Sequence, residues 1–143
     1  MRIEIKDPHQ IIDQDFITWF KKQIRDRLLD DIDSKKLQKW TNYFNTKSMY
    51  KSIYRKMILA EDIISAGVYN LQHSRSGSII SIYINPNIYA PGLDRIKLVT
   101  LCKLINFGNQ EIKGYAIFTS TFKHFSENIN DYIDMYLIDA KSR

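Results

Sequence analysis

The apolar run between Pro91-Gly92 and Gly108 constrains this chain more than any other feature. Leu93, Ile96, Leu98, Val99, Leu101, Cys102, Leu104 and Ile105 fall within it. Wound into a helix ending at Phe107, they cover more than half the circumference, so other elements have to enclose the helix. The same residues could form a buried strand over 97–106, but the length of the run and the glycine at its stop favour a helix. Ile112–Phe118 then reads as a short strand, and Thr119-Ser120-Thr121 opens a last helix.

The rest of the chain supplies the layers around that run. Arg2–Lys6 alternates charged and apolar side chains, the period of a half-buried strand, and Asp7-Pro8 ends it. Asp13 or Asp15 can cap a helix reaching about Ile32, with Phe16, Phe20, Ile24 and Leu28 on one stripe flanked by Ile12 and Trp19. Asp30, Asp31 and Asp33 sit at the unfavourable end of its dipole. Ser34 caps a second helix over 35–58, kinked near Asn45-Thr46, with Leu37, Trp40 and Phe44 and then Tyr50, Ile53, Tyr54 and Met57 inward.

Residues 63–70 and 78–85 read as two strands of a hairpin, joined by a polar loop that turns at Gly77. Asn85-Pro86-Asn87 ends the second strand. The closing helix, from about Ser120, sets Phe122, Phe125, Ile129, Ile133 and Tyr136 against Asn128, Asn130, Asp131 and Asp134. The expected class is α+β: a small antiparallel sheet of three to four strands, including the 63–70/78–85 hairpin, packed against amphipathic helices. No repeat or linker interrupts it, so residues 1–143 are read as a single domain.

Composition excludes several classes of function. The chain has one cysteine, Cys102, which rules out an internal disulfide and a four-thiolate metal site. Five scattered glycines form no phosphate-binding loop, so a nucleotide-dependent enzyme is not expected. The first residues, M-R-I-E-I-K-D-P-H, lack the apolar core of a secretory signal. No run approaches the roughly 18 apolar residues that span a bilayer, so no membrane contact is expected.

The net charge of +5 is unevenly placed. Residues 1–34 hold six basic and eight acidic side chains, whereas 35–58 hold seven basic ones and no acid. On a helix, Lys47, Lys51 and Arg55 recur every four residues and, with Lys56, make a ridge that needs an anionic partner. Tyr43, Tyr50 and Tyr54 interleave it, which suits phosphate neutralisation and base stacking. Arg55 is the one arginine among the seven, which argues against base-specific readout.

The order of these elements, with three short motifs, resembles the tail-completion (neck) proteins of tailed bacteriophages. Ile105-Asn106-Phe107-Gly108-Asn109 stands where that family has a Glu-Phe-Gly-Thr-like helix end. Gly114-Tyr115-Ala116-Ile117-Phe118 stands at its Pro-x-x-Phe-hydrophobic strand, and Phe122 begins its final amphipathic helix. Thr46-Lys47-Ser48-Met49-Tyr50-Lys51-Ser52-Ile53 is similar to its Thr-Gly-x-Leu-Arg-x-Ser-Ile segment. The similarity spans roughly residues 40–138, with Lys47, Asn106 and Asn109 in place of the family's Gly, Glu and Thr.

The resemblance implies a non-enzymatic virion protein, assembled in the host cytoplasm as a ring between head and tail and needing no cofactor. Its partners would be further copies of itself, neighbouring portal or adaptor proteins and tail proteins. The ridge would face channel DNA or an acidic partner. Contact residues are expected in the segments 72–78 (His73, Arg75), 85–92 (Asn87, Tyr89) and 109–113 (Asn109, Glu111).

The first alternative is a small basic nucleic-acid-binding or host-interacting regulator using the same ridge. The second is a metal-dependent nuclease in which Asp94 and Glu111 hold the ion and Lys113 orients water. Glu4-Ile5-Lys6 repeats the Glu-x-Lys pattern, so chance alone supplies it. His9, His73 and His124 are too scattered to suggest a metal cluster, and Cys102 reads as a buried hydrophobe.

Overall fold

The alternation of Arg2–Lys6 becomes the first strand, β1, in the computed structural model, which describes residues 1–54 and 56–141. Ile3 and Ile5 point inward and Glu4 outward. β1 pairs antiparallel with β3 (Ile79–Ile84), and β3 pairs with β2 (Leu71–Ser76), giving the order β1-β3-β2. Ile3 stands opposite Ile82 and Ile5 opposite Ile80. With Ile84, these side chains form one apolar sheet face under the helices.

Asp7, at the end of β1, is a second fixed point. Its carboxylate accepts from the amides of Ile11 (3.0 Å) and Ile12 (3.2 Å) and from Arg75 of β2 (2.8 Å). It therefore ties the turn after β1 to the edge of the sheet.

Helix α1 (Gln14–Asp30) begins as its composition dictates, with the Asp13 side chain accepting from the Phe16 amide at 2.9 Å. Phe16, Ile17, Phe20, Ile24 and Leu28 are buried, and the helix packs against α3, α5 and α6. Helix α2 (Ser34–Thr46) is capped by Asp33 rather than by Ser34: the Asp33 carboxylate accepts from the Lys35 and Lys36 amides.

Helix α3 (Ala60–Tyr69) overturns the first expected strand. Ile63, Ile64, Gly67 and Val68 are all buried, the repeat of one helix face and not of a strand. Gly67 is required here because a Cβ would stand 2.8 Å from the Cys102 Sγ. The hairpin is consequently shifted to β2 and β3, and the segment expected to be its loop is strand β2. The turn consists of Gly77 and Ser78, with Gly77 at φ +60°.

The apolar run that the other elements enclose is a helix, α4 (Leu98–Phe107), shorter at its start than expected. Leu93–Lys97 instead folds back, with the Ala90 amide donating to Ile96 O and the Leu98 amide to Ile88 O. Leu98, Leu101, Cys102 and Ile105 are buried against α3 and α5.

Gly108 stops α4 at φ +73° and ψ −172°, a backbone open to glycine alone. Ile112–Phe118 is not a strand: a single bridge joins Gly108 to Lys113, and helix α5 (Ile117–Glu127) has already begun. The expected last helix is two, because Asn128 leaves helical geometry (φ −115°, ψ 22°) before α6 (Ile129–Lys141). Its side-chain amide donates to His124 O at 2.8 Å, which stabilises the break.

The α+β expectation holds: among the described residues, six helices and a three-stranded antiparallel sheet surround one buried apolar cluster.

Candidate interaction surface

Residues 47–58 were expected to continue α2 and do not. After Thr46 comes a single 3₁₀ turn, Ser48–Tyr50, and the described residues 51–54 and 56–59 that precede α3 belong to no helix or strand. Two side chains of α2 close this loop at its base. Asn45 Nδ2 donates to Thr41 O (2.6 Å) and to Ile58 O (2.8 Å), while its Oδ1 accepts from the Ile58 amide at 3.0 Å. Thr41 Oγ1 accepts from the Ala60 amide at 3.0 Å.

The middle of the loop is pinned as well. Tyr50 is buried with its ring 5.1 Å from that of Phe44, and the Ile53 amide donates to Gly92 O at 2.9 Å. The result is a compact loop with close ends held on a rigid scaffold, a form frequently used for recognition.

What the loop presents is mixed in character. Met49, Ile53, Tyr54 and Met57 are each more than half exposed, at 67%, 53%, 68% and 66%, and Leu59 follows at 41%. Lys51 and Lys56 lie exposed among them. Five large apolar side chains thus stand exposed within eleven residues, a clustering that makes this loop the candidate contact surface.

The expected basic ridge is not formed, because Lys47 and Lys51 do not share a helix. Arg55, the third member, lies outside the described residues. Lys47 is also neutralised from within the chain: its Nζ is 2.7 Å from Glu111 Oε2. That hydrogen bond, with the Glu111 charge, holds its ammonium above the ordinary lysine value. Asn109 shapes the turn that delivers Glu111, its Oδ1 accepting from the Glu111 (2.8 Å) and Ile112 (3.0 Å) amides, and its Nδ2 donating to the Tyr43 hydroxyl at 3.0 Å. Asn109 and Glu111 thus secure the base of the loop; Lys51 and Lys56 remain as its outward charges.

The other expected contact residues are dispersed. His73 and Arg75 belong to strand β2 and not to a loop. His73 is half-buried, and burial together with the Lys21 charge lowers its pKa. Arg75 is engaged with Asp7. Asn87 and Tyr89 do lie in the connector between β3 and α4, where Lys97 binds both: its Nζ donates to Asn87 O at 3.1 Å and sits 4.0 Å from the centre of the exposed Tyr89 ring.

The nuclease triad is not assembled into one cleft. Asp94 lines a hollow with Met49 and Ile53, Glu111 is paired to Lys47, and Lys113 lines a third place beside Tyr115. No group of three or more His, Cys, Asp or Glu that could hold a metal ion occurs among the described residues. His124 is half-buried, with Nε2 at 2.9 Å from the Tyr132 hydroxyl. Cys102 is fully buried, and burial pushes its thiol far up.

Helix α6 carries a face of opposite charge. Tyr132, Ile133 and Tyr136 turn inward, Tyr136 stacking edge-on 5.4 Å from Phe16. Asp131, Asp134, Met135 and Ile138 lie at i, i+3, i+4 and i+7, all exposed on one outer stripe. The acids of this stripe, Asp131 and Asp134, were read on the polar face of the closing helix, but Met135 and Ile138 beside them and the scaffold beneath the loop were not. The forward signal for that scaffold was Asn45 at an expected kink.

No family model, no curated protein and no solved structure matches the chain. Among the described residues, no helix is long and apolar enough to cross a membrane.

Proposed function

We propose that this chain is a structural subunit of a phage particle, a neck or tail-completion component that assembles as a ring at the head–tail junction. The observation that carries this reading is the scaffolded loop 47–59, which exposes Met49, Ile53, Tyr54 and Met57 beside Lys51 and Lys56. Such a surface suits a permanent neighbour, since apolar area removed from water supplies most of the free energy of association.

The charge pattern supports another copy of the chain as that neighbour. The cationic apolar loop is complementary to the anionic apolar stripe Asp131, Asp134, Met135, Ile138 of α6. Contact between two different surfaces of one chain is heterologous, and such contacts close into rings when the rotation permits. Two motifs of the resemblance also fall at this surface: Thr46–Ile53 enters the loop, and Phe107-Gly108 leads to the turn that holds Lys47.

The test is association with purified particles. The protein is expected in virions at a fixed stoichiometry, as a ring in electron micrographs of the neck. Its complete absence from purified particles sinks the proposal.

A further inference from the structure

A second feature lies apart from the loop and asks for a different ligand. The start of α2, the segment Ile112–Ala116 and the first turn of α5 enclose a cleft of about 640 Å³. Its floor is Trp40, Ile117 and Thr121, all buried, and one wall is the Tyr115 ring. That ring is fixed at both ends of its hydroxyl, which donates to Asp31 O (2.6 Å) and accepts from the Asp33 amide (3.2 Å). The wall therefore does not depend on a ligand for its shape.

Three lysines, Lys36, Lys39 and Lys113, line this cleft, and among the described residues no acid forms an ion pair with any of them. Lys36 leans over the Tyr115 ring, 5.6 Å from its centre. Asp31 is the only acidic side chain in the lining, and its carboxylate is 4.0 Å from the Arg27 guanidinium. The first turn of α5 adds positive potential and contains no acidic residue. Its Phe118 and Thr119 amides are already satisfied by Asn106 Oδ1, both at 3.0 Å, so the helix end contributes its dipole rather than free donors.

The independent feature of the cleft is Thr121. It is 2% exposed on the cleft floor, and its hydroxyl has no hydrogen-bond partner, the one such buried side-chain group among the described residues. A buried hydroxyl in a packed core is ordinarily paired, since leaving it unpaired forfeits its hydration for nothing. In the interior of a helix it usually bonds the carbonyl one turn back, and here it does not.

We infer that this cleft binds a phosphate group, with Lys36, Lys39 and Lys113 around the anion, the Thr121 hydroxyl donating to it, and the apolar floor taking the organic part of the ester. Lysines act as movable point charges that gather around a tetrahedral anion, and no planar guanidinium fork of the kind that favours a carboxylate lies in the lining. The phosphate can belong to a free monoester or to the backbone of a nucleic-acid strand, and the two share this chemistry.

The experiment uses the full chain with three probes, inorganic phosphate, phenyl phosphate and a twelve-residue oligothymidylate, followed by calorimetry and amide shifts. Binding that moves the amides of Tyr115–Thr121 is expected. It should weaken about tenfold in Lys36→Gln plus Lys39→Gln, the loss of two close charges. Preference for phenyl phosphate assigns a free ester and preference for the oligomer assigns a strand; either supports the site.

Thr121→Val separates a ligand site from a packing defect. It should raise Tm by about 2–4 °C by removing the unpaired hydroxyl, and weaken phosphate binding several-fold in the same protein. Absence of binding for all three probes at millimolar concentration overturns the inference. So does binding that neither Thr121→Val nor the lysine pair affects. These variants leave the 47–59 loop and α6 unaltered, so the outcome is independent of the ring.

Discussion

At the scale of single residues, a few polar side chains hold distant parts of the backbone together, and their loss should be disproportionate. Asp7 is 2% exposed and receives three hydrogen bonds. Burial alone would raise its pKa, but the bond from Arg75, the Ile11 and Ile12 amides and the Arg75 charge together hold it below 3.8. A depressed folded pKa stabilises the protein above the unfolded value and loses that contribution as pH falls through the folded one. Asp7→Asn should therefore cost about 2–3 kcal/mol near neutrality, and the gap to wild type should narrow once pH drops below 3.8. Urea midpoints at a series of pH values measure this; a gap that stays constant contradicts it. Gly108→Ala faces two obstacles, a φ of +73° and a Cβ that would stand 2.6 Å from Ile112 O. We expect a loss of about 3 kcal/mol or failure to accumulate as folded protein, read from thermal melts.

At the scale of elements, the legible parts were those whose burial pattern agreed with their local chemistry. α1 showed its stripe of Phe16, Phe20, Ile24 and Leu28 and its Asp13 cap, and α4 showed an apolar surface over more than half its circumference and its Gly108 stop. α3 was hidden because Ile63, Ile64 and Val68 are β-branched, while the feature that makes it a helix, Gly67 against Cys102, depends on a residue far along the chain. β2 was hidden for the opposite reason: Gln72, Ser74 and Ser76 on a sheet edge have no apolar signal to give.

The four-residue spacing of Lys47, Lys51 and Arg55 suggested a helix where Asn45 and Thr41 fold the chain back instead. Such a clamp joins residues 13 and 19 apart and leaves no periodic trace. The candidate surface was thus half legible: its charge and the acids Asp131 and Asp134 of the last helix were visible, but its loop form, and the apolar Met135 and Ile138 beside those acids, were not. Asn45→Ala should release the base of the loop without unfolding the core. The Ile58 amide, now bonded to Asn45, should exchange with solvent at least tenfold faster while amides of α4 are unchanged. Equal acceleration in both places would show that Asn45 supports the whole fold.

At the scale of the whole molecule, the account is one of division of labour. One apolar cluster fixes the helices and sheet, and two exposed surfaces of opposite charge lie outside it, on the 47–59 loop and on α6. Because both surfaces combine charge with apolar area, assembly should weaken only modestly as salt rises, whereas reversing either charge sign, which sets like charges against each other, should be decisive. Sedimentation velocity on four proteins tests this most directly: the wild type, Lys51→Glu plus Lys56→Glu, Asp131→Lys plus Asp134→Lys, and the chain carrying all four changes. The account predicts a closed oligomer for the wild type, monomers for each reversal alone, and a restored oligomer for the fourfold swap. A wild type that stays monomeric at about 100 µM would falsify it, and so would single reversals that assemble unchanged, since the contact would then lie elsewhere.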